Sequence, residues 1–351
     1  MSAQNYSYDY NLPKELIAHT PLSVRDQSKL FVFDTKSGQI MHDHFYNLHK
    51  YIPEKSVFVL NKTKVVKARV WLYKETGGKV ECFFLTNEIK DLQKIPCIVD
   101  RKLEVGKSVY TTDGVFSFKI IVQEENTFYL GPQFPTEKFY EFLEKYGEVP
   151  LPKYIKNEDI NEKLHTRYNT IFAEQGRSLA APTASLHFTE KVFKDLKEKD
   201  CTFESVYLDV GLGTFKIPTP EDVKKGKLHT EPVSIEKRVL ENIENAKKEG
   251  RNVVCVGTTV VRSLESLKIK DVDTQSDTIH FDTDIFIKPP YRFAYPDILI
   301  TNFHLPETSL MMLVQAFLED KGSNAQLVDL YKEAILQNYR FYSFGDAMLI
   351  V

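Results

Sequence analysis

The sequence predicts an α/β protein, a layered mixed-sheet domain carrying an inserted small antiparallel β-barrel, and three observations predict it. The stretch from about 66 to 131 alternates short β-type runs with turn signals and shows almost no helical period. Beyond residue 180, strand-like and helical patterns alternate, which is the mark of a layered α/β unit. Ahead of the β-rich stretch the chain is again mixed, with LFVFD and SVFVLN as strand candidates. The expected division is therefore 1–67 with 133–351 as one discontinuous catalytic domain and 68–132 as the insert, which enters at a surface loop where insertions are tolerated.

The individual elements follow from local chemistry. In the insert, Gly77-Gly78, Val105-Gly106 and Asp113-Gly114 punctuate the runs VVKARVWLYK, KVECFFLTNEI, KIPCIVDRK, KSVYTT, VFSFKIIVQ and TFYLG, giving five or six strands. Thr136 is the expected cap of a helix whose Phe139, Phe142, Leu143 and Tyr146 share one face, and Gly147 with Pro150 ends it. Val239, Leu240, Ile243 and Ala246 mark a further helix, stopped by Gly250 just ahead of the strand VVCV. The apolar tail RFYSFGDAMLIV, which contains Asp346, reads as a sheet strand.

Composition narrows the function classes. With 351 residues, 42% hydrophobic and 27% charged, the chain has the make-up of an ordinary globular protein. It lacks a basic leader followed by an apolar run, and its apolar stretches are far shorter than a membrane span, so a cytoplasmic protein with no membrane contact is expected. Four scattered cysteines form no Cys-x-x-Cys pair, which supports neither a zinc site nor a disulfide scaffold and leaves no metal expected. A net charge of −3 requires any nucleic-acid contact to use a local basic patch. One exists: Lys62, Lys64, Lys67 and Arg69 fall within eight residues directly after VFVL, at the expected domain junction. It reads either as a solvated strand end or as a phosphate-backbone contact.

Five segments of the second half break from an apolar run into a polar loop: 179–189, 206–215, 253–266, 298–317 and 339–351. Such loops at the carboxyl ends of strands build one composite ligand site in open α/β sheets. In VCVGTTVVR, Gly257 permits a tight turn, Thr258 or Thr259 can cap the following helix, and Arg262 can complete an anion clamp. Gly211-Leu212-Gly213-Thr214 lacks the third glycine and the helix of a dinucleotide fingerprint. Its glycines either let backbone approach a flat ring or merely form a turn. His187 and His304 end apolar runs, where imidazole serves proton transfer near neutral pH. His187 is favoured as the base because the flanking Pro182–Ser185 loop is small enough to let a ligand come close, with His304 organising the helix near Pro306, Asp209 and Glu231 as acidic candidates and Asn302 as a polar-group holder.

Nine blocks carry a resemblance that runs from end to end. They include YDYNLPKELIAHTPLSVRDQSKL (8–30), VLNKTKVVKARV (59–70), RYNTIFAEQGRSLAAPTASLHFT (167–189), VGLGTF (210–215), CVGTTVVRSLES (255–266), DILITNFHLPETSLMMLVQAF (297–317) and YRFYSFGDAMLI (339–350). In these the chain resembles the S-adenosylmethionine:tRNA ribosyltransferase-isomerase family of queuosine biosynthesis. The resemblance implies transfer and isomerisation of the ribosyl part of S-adenosylmethionine onto a 7-aminomethyl-7-deazaguanine base in a tRNA anticodon, giving epoxyqueuosine and releasing adenine and methionine. It implies S-adenosylmethionine as a ribosyl-donor substrate, tRNA as partner, and no metal; a monomer is expected.

The ribosyl donor is expected against Pro182, Thr183, Gly211, Gly213, Thr214, Gly257, Thr258, Thr259, Arg262 and Asn302, with His187, His304, Asp209 and Glu231 as candidates for catalysis and the 62–69 cluster on tRNA. The chain departs from the family pattern at Ser185, a usual glycine, at Asp209, a usual histidine, and at Lys62 and Lys67, a usual Asp and Pro. Two competing readings are an S-adenosylmethionine-dependent RNA methyltransferase, which lacks its glycine-rich loop here, and a non-catalytic tRNA-binding module.

Overall fold

The structure, a computed structural model, describes residues 7–152, 154–155, 162–211, 213, 218–269 and 276–351. Nine strands form the large sheet, in the order Thr278–Ile285, Lys227–Glu236, Thr202–Leu208, Val57–Asn61, Val253–Val256, Ile298–Asn302, Ala347–Ile350, Lys29–Phe33 and Ile40–His44. The four strands from Thr202–Leu208 to Ile298–Asn302 run parallel, and the remaining pairings are antiparallel except for Lys29–Phe33 with Ala347–Ile350. Three of those parallel strands are buried at every residue, which is why they read as unbroken apolar runs.

Alternation along each strand feeds two cores. Phe31, Val59, Cys255 and Leu299 face the helices Lys237–Lys248, Thr258–Leu267, Ser309–Asp320 and Leu327–Leu336. Leu30, Phe58, Leu60, Val254 and Ile300 face Phe188 and the short helix Glu190–Lys197. All four cysteines are buried as free thiols, two in these cores and two in the barrel.

The insert is a closed barrel. Arg69–Lys74, Lys79–Phe84, Ile95–Val99, Thr127–Pro132, Ser117–Glu124 and Ser108–Tyr110 pair in that order. The pairs Tyr73↔Tyr110 and Lys74↔Val109 then close the ring, leaving no free edge. Its interior is filled by Phe84, Phe118 and the helix Phe139–Tyr146, whose Phe139, Phe142 and Leu143 pack inward as their spacing required. That helix begins after a 3-10 turn at Thr136–Lys138, and Thr136 makes no capping bond.

Two expectations about local structure are corrected. The run LAAPTASLHFT forms no strand but an extended loop and a 3-10 turn, Thr183–His187, because a proline and small residues favour turns over ladder pairing. Gly257, not Thr258 or Thr259, is the N-cap of Thr258–Leu267; its φ of 93° is open to glycine, and both threonines are already helical.

Candidate active site

All four parallel strands deliver their carboxyl ends, Asn61, Leu208, Val256 and Asn302, to one edge of the sheet. An open cleft of about 740 Å³ lies there. It gathers Pro182 and Thr183 from the proline loop, Gly257, Thr258 and Thr259 from the helix start, Asn302 and His304 from the end of the last parallel strand, and Val210. Tyr154 and Tyr342 also line it, their rings 5.0 Å apart, and Tyr342 is held at φ 75°. Sequence reasoning missed both tyrosines. Their signal is tertiary: Tyr154 lies in none of the five segments, Tyr342 lies in the 339–351 segment with nothing there to single it out, and its strained backbone leaves no trace in composition.

The cleft is wired by a few specific bonds. Asn302 accepts the Thr183 hydroxyl at 2.7 Å through Oδ1 and reaches Nε2 of His187 at 3.4 Å through Nδ2. Thr301 Oγ1 stands 3.2 Å from Nε2 of His304, and the Tyr331 hydroxyl stands 3.3 Å from its Nδ1 while accepting the His304 amide at 3.1 Å. The Tyr10 hydroxyl donates to the His304 carbonyl. Burial pushes the His304 imidazole down to about 3, so it is uncharged at neutral pH. At the helix start, the backbone N–H groups of Thr258 and Thr259 have no carbonyl partner among the described residues, and the buried Thr259 hydroxyl is likewise unpartnered. That end of the cleft is ready for a carboxylate.

Other expected site residues lie elsewhere. His187 sits behind Asn302, its ring 5.1 Å from Phe45, and lines a smaller neighbouring cleft. Burial and the Arg340 and Arg25 cations push it to about 3. Arg262 is buried one turn inside its helix and pairs with Glu231, whose other oxygen takes the Gly211 amide at 2.9 Å. This pair does not line the cleft; it ties the loop after Leu208 to the helix.

Asp209, Gly211 and Gly213 face a wide groove of about 3290 Å³ between the barrel and the sheet, together with Tyr140, Arg177 and His229. Burial raises the Asp209 carboxyl, which accepts the Thr63 hydroxyl at 2.5 Å and the Arg177 amide at 3.0 Å. The flat ring that Gly213 admits is the protein's own: a Cβ there would overlap the His229 imidazole. Thr214 lies outside the described residues.

In the basic cluster Lys62 pairs with Glu174 at 2.7 Å, Lys67 with Glu144 at 2.8 Å and Arg69 with Glu81 at 3.6 Å, while Lys64 is exposed. Such surface pairs are worth about 0–1 kcal/mol each. Among the described residues, no group of three His, Cys, Asp or Glu side chains is placed to hold a metal ion, and no helix is long and apolar enough to cross a membrane.

Comparison with known proteins now decides the lineage. A family model described as queuosine biosynthesis protein matches residues 5–350. The chain belongs to the queuosine biosynthesis protein family. Within that family it is 42% identical to the S-adenosylmethionine:tRNA ribosyltransferase-isomerase of Carboxydothermus hydrogenoformans over 98% of both chains. It is 38% identical to that of Fusobacterium nucleatum over 100% of this chain and 97% of the other. The crystal structure of S-adenosylmethionine tRNA ribosyltransferase from Thermotoga maritima aligns with a TM-score of 0.54 at 28% identity, covering 98% of this chain and 99% of that one.

One departure from the family pattern is explained by the geometry. Ser185, where glycine is usual, is fully buried in the 3-10 turn and is not among the residues at positive φ, so the turn does not require glycine.

Proposed function

We propose that the protein transfers the ribosyl part of S-adenosylmethionine to the aminomethyl group of a 7-deazaguanine base in a tRNA anticodon and isomerises it, forming epoxyqueuosine with release of adenine and methionine. Family membership supports the reaction, and the observation that carries it to a place is the cleft at the carboxyl ends of the parallel strands. The free N–H groups and hydroxyl at Gly257–Thr259 suit the methionine carboxylate. The Tyr154 and Tyr342 rings suit a flat purine.

The sulfonium acidifies the neighbouring C5′ protons, so a base is required, and adenine must leave with its negative charge stabilised. His304 is the base in this reading, being the imidazole that lines the cleft. His187 acts through Asn302, which it touches, and is a positioning residue. The Arg262–Glu231 pair holds the Gly211 loop, and the cluster Lys62, Lys64, Lys67 and Arg69 lies on the tRNA backbone. Asp209, in the interdomain groove, faces the side from which the base arrives. The enzyme acts as a monomer in the cytoplasm.

The deciding assay incubates the protein with labelled S-adenosylmethionine and tRNA bearing the aminomethyl precursor. Free adenine and methionine with a mass gain on the tRNA are expected. S-adenosylhomocysteine as the labelled product would favour methyl transfer, and no cofactor binding would leave only an RNA-binding role; either result overturns the proposal.

A further inference from the structure

Beside the reaction cleft lies a second, smaller one of about 290 Å³, and Ser343 lines both. Three arginines meet there from distant parts of the chain: Arg25, Arg167 and Arg340. Their bonds go to carbonyls. Arg25 holds Leu186 O at 3.1 Å and Asn169 O at 2.8 Å, Arg167 holds Leu22 O and Ser23 O at 2.8 and 2.9 Å, and Arg340 holds Phe344 O at 2.8 Å. Among the described residues the one carboxylate within 4 Å of any of them is Asp346, 3.7 Å from Arg340. Three cations against one anion leave a net positive pocket, and its field is felt locally: Arg340 and Arg25 both depress the neighbouring His187.

Unpaired donors line the same cleft. The Nε of Arg167 is buried without a partner, and so is the hydroxyl of Ser28, a residue 1% exposed that lines this cleft. A buried polar group without a partner is costly unless a ligand satisfies it. The free Arg167 Nε–H and Ser28 hydroxyl, beside the Arg25 and Arg340 cations, suit the oxygens of a tetrahedral oxyanion.

We propose that this cleft is an anion subsite for one phosphodiester of the RNA strand whose modified base enters the adjoining cleft. The inference rests on the proposed reaction for the identity of the polymer, and it adds what that reading lacks, a fixed phosphate that sets how far the base reaches past Ser343. Phosphate, not a carboxylate, is favoured because three cations line the cleft against a single carboxylate, and because in the proposed reaction the helix start at Gly257 takes the carboxylate.

The test uses the full-length protein, Arg167→Gln and Ser28→Ala. Ser28→Ala removes only an unsatisfied hydroxyl, so its fold is retained and its unliganded stability is equal or higher. Inorganic phosphate should raise the melting temperature of the wild type, and both variants should lose most of that shift. For tRNA, Arg167→Gln should bind about tenfold more weakly at low salt, the loss of one charged hydrogen-bonding group. The log–log salt slope should fall by about 0.7, the value for one phosphate of a single strand.

A wild type that turns over modified tRNA while both variants keep the native phosphate shift and salt slope would overturn the subsite and leave the reaction standing. A higher KM for S-adenosylmethionine with an unaltered tRNA slope would assign the cleft to the methionine carboxylate and also overturn it. A wild type that makes no product would instead refute the reaction.

Discussion

Replacing Arg262 by methionine tests whether a buried ion pair ties the sheet-edge loop to its helix. Arg262 is 4% exposed and Glu231 1% exposed, so the substitution strands a carboxylate away from water. Breaking a buried pair from one side costs about 3–5 kcal/mol. Two effects set the position within that range. Glu231 keeps the Gly211 amide, and the substitution removes Nε and Nη2 of Arg262, both buried and unpartnered, each of which costs about 1 kcal/mol or more in the wild type. We therefore expect a loss of about 3 kcal/mol, the lower end of the range.

The double variant Arg262→Met with Glu231→Gln removes both charges and should return to within about 1 kcal/mol of the wild type, since apolar or neutral replacements of buried pairs are often neutral. Urea unfolding of the wild type, both single variants and the double variant gives the coupling directly, provided the slopes agree. Single losses that simply add in the double variant, or an Arg262→Met loss below about 1 kcal/mol, would show that the pair holds nothing.

Three further outcomes follow from the same geometry. His304→Ala should slow single-turnover chemistry by about 10²- to 10⁴-fold with little change in S-adenosylmethionine affinity, whereas His187→Ala should weaken binding through Asn302; near-native chemistry in His304→Ala removes it as the base. Both histidines are held near 3 in the fold against about 6.5 unfolded, so the unfolded chain takes up the proton first and stability falls as pH drops below about 6.5. Between pH 7 and pH 5 each contributes a loss of about 2 kcal/mol, and an unfolding midpoint that His187→Asn/His304→Asn renders no less pH-dependent would refute the assignment. Alanine at Lys62, Lys64, Lys67 and Arg69 should flatten the tRNA salt dependence by up to about 0.9 for each phosphate that is no longer neutralised, measured by binding across a salt series; an unchanged slope returns the cluster to a solvated strand end.

How much was legible in the sequence depends on the range of the interaction involved. The barrel announced itself because alternation and glycine turns are local, and the central strands because a strand covered on both faces is apolar at every position, as in VFVLN and ILITN. The strand-end loops followed from those runs, so Gly257, Thr258, Thr259, Asn302 and His304 were legible as one cleft, which Pro182 and Thr183 join from a loop and turn and not from a strand end.

What the chain could not disclose is decided by residues far apart in sequence. That His187 stands behind Asn302 while His304 faces the cleft depends on a loop that looks strand-like but carries Pro182 in a turn. That Arg262 turns its charge to Glu231, that Gly213 makes room for His229, and that Tyr154 meets Tyr342 are consequences of packing. Local pattern specifies which face of an element is buried, because burial recurs with the period of the backbone. It does not specify which two polar groups meet, because that pairing is fixed only when the sheet order brings distant strands side by side and low dielectric penalises every buried donor left alone.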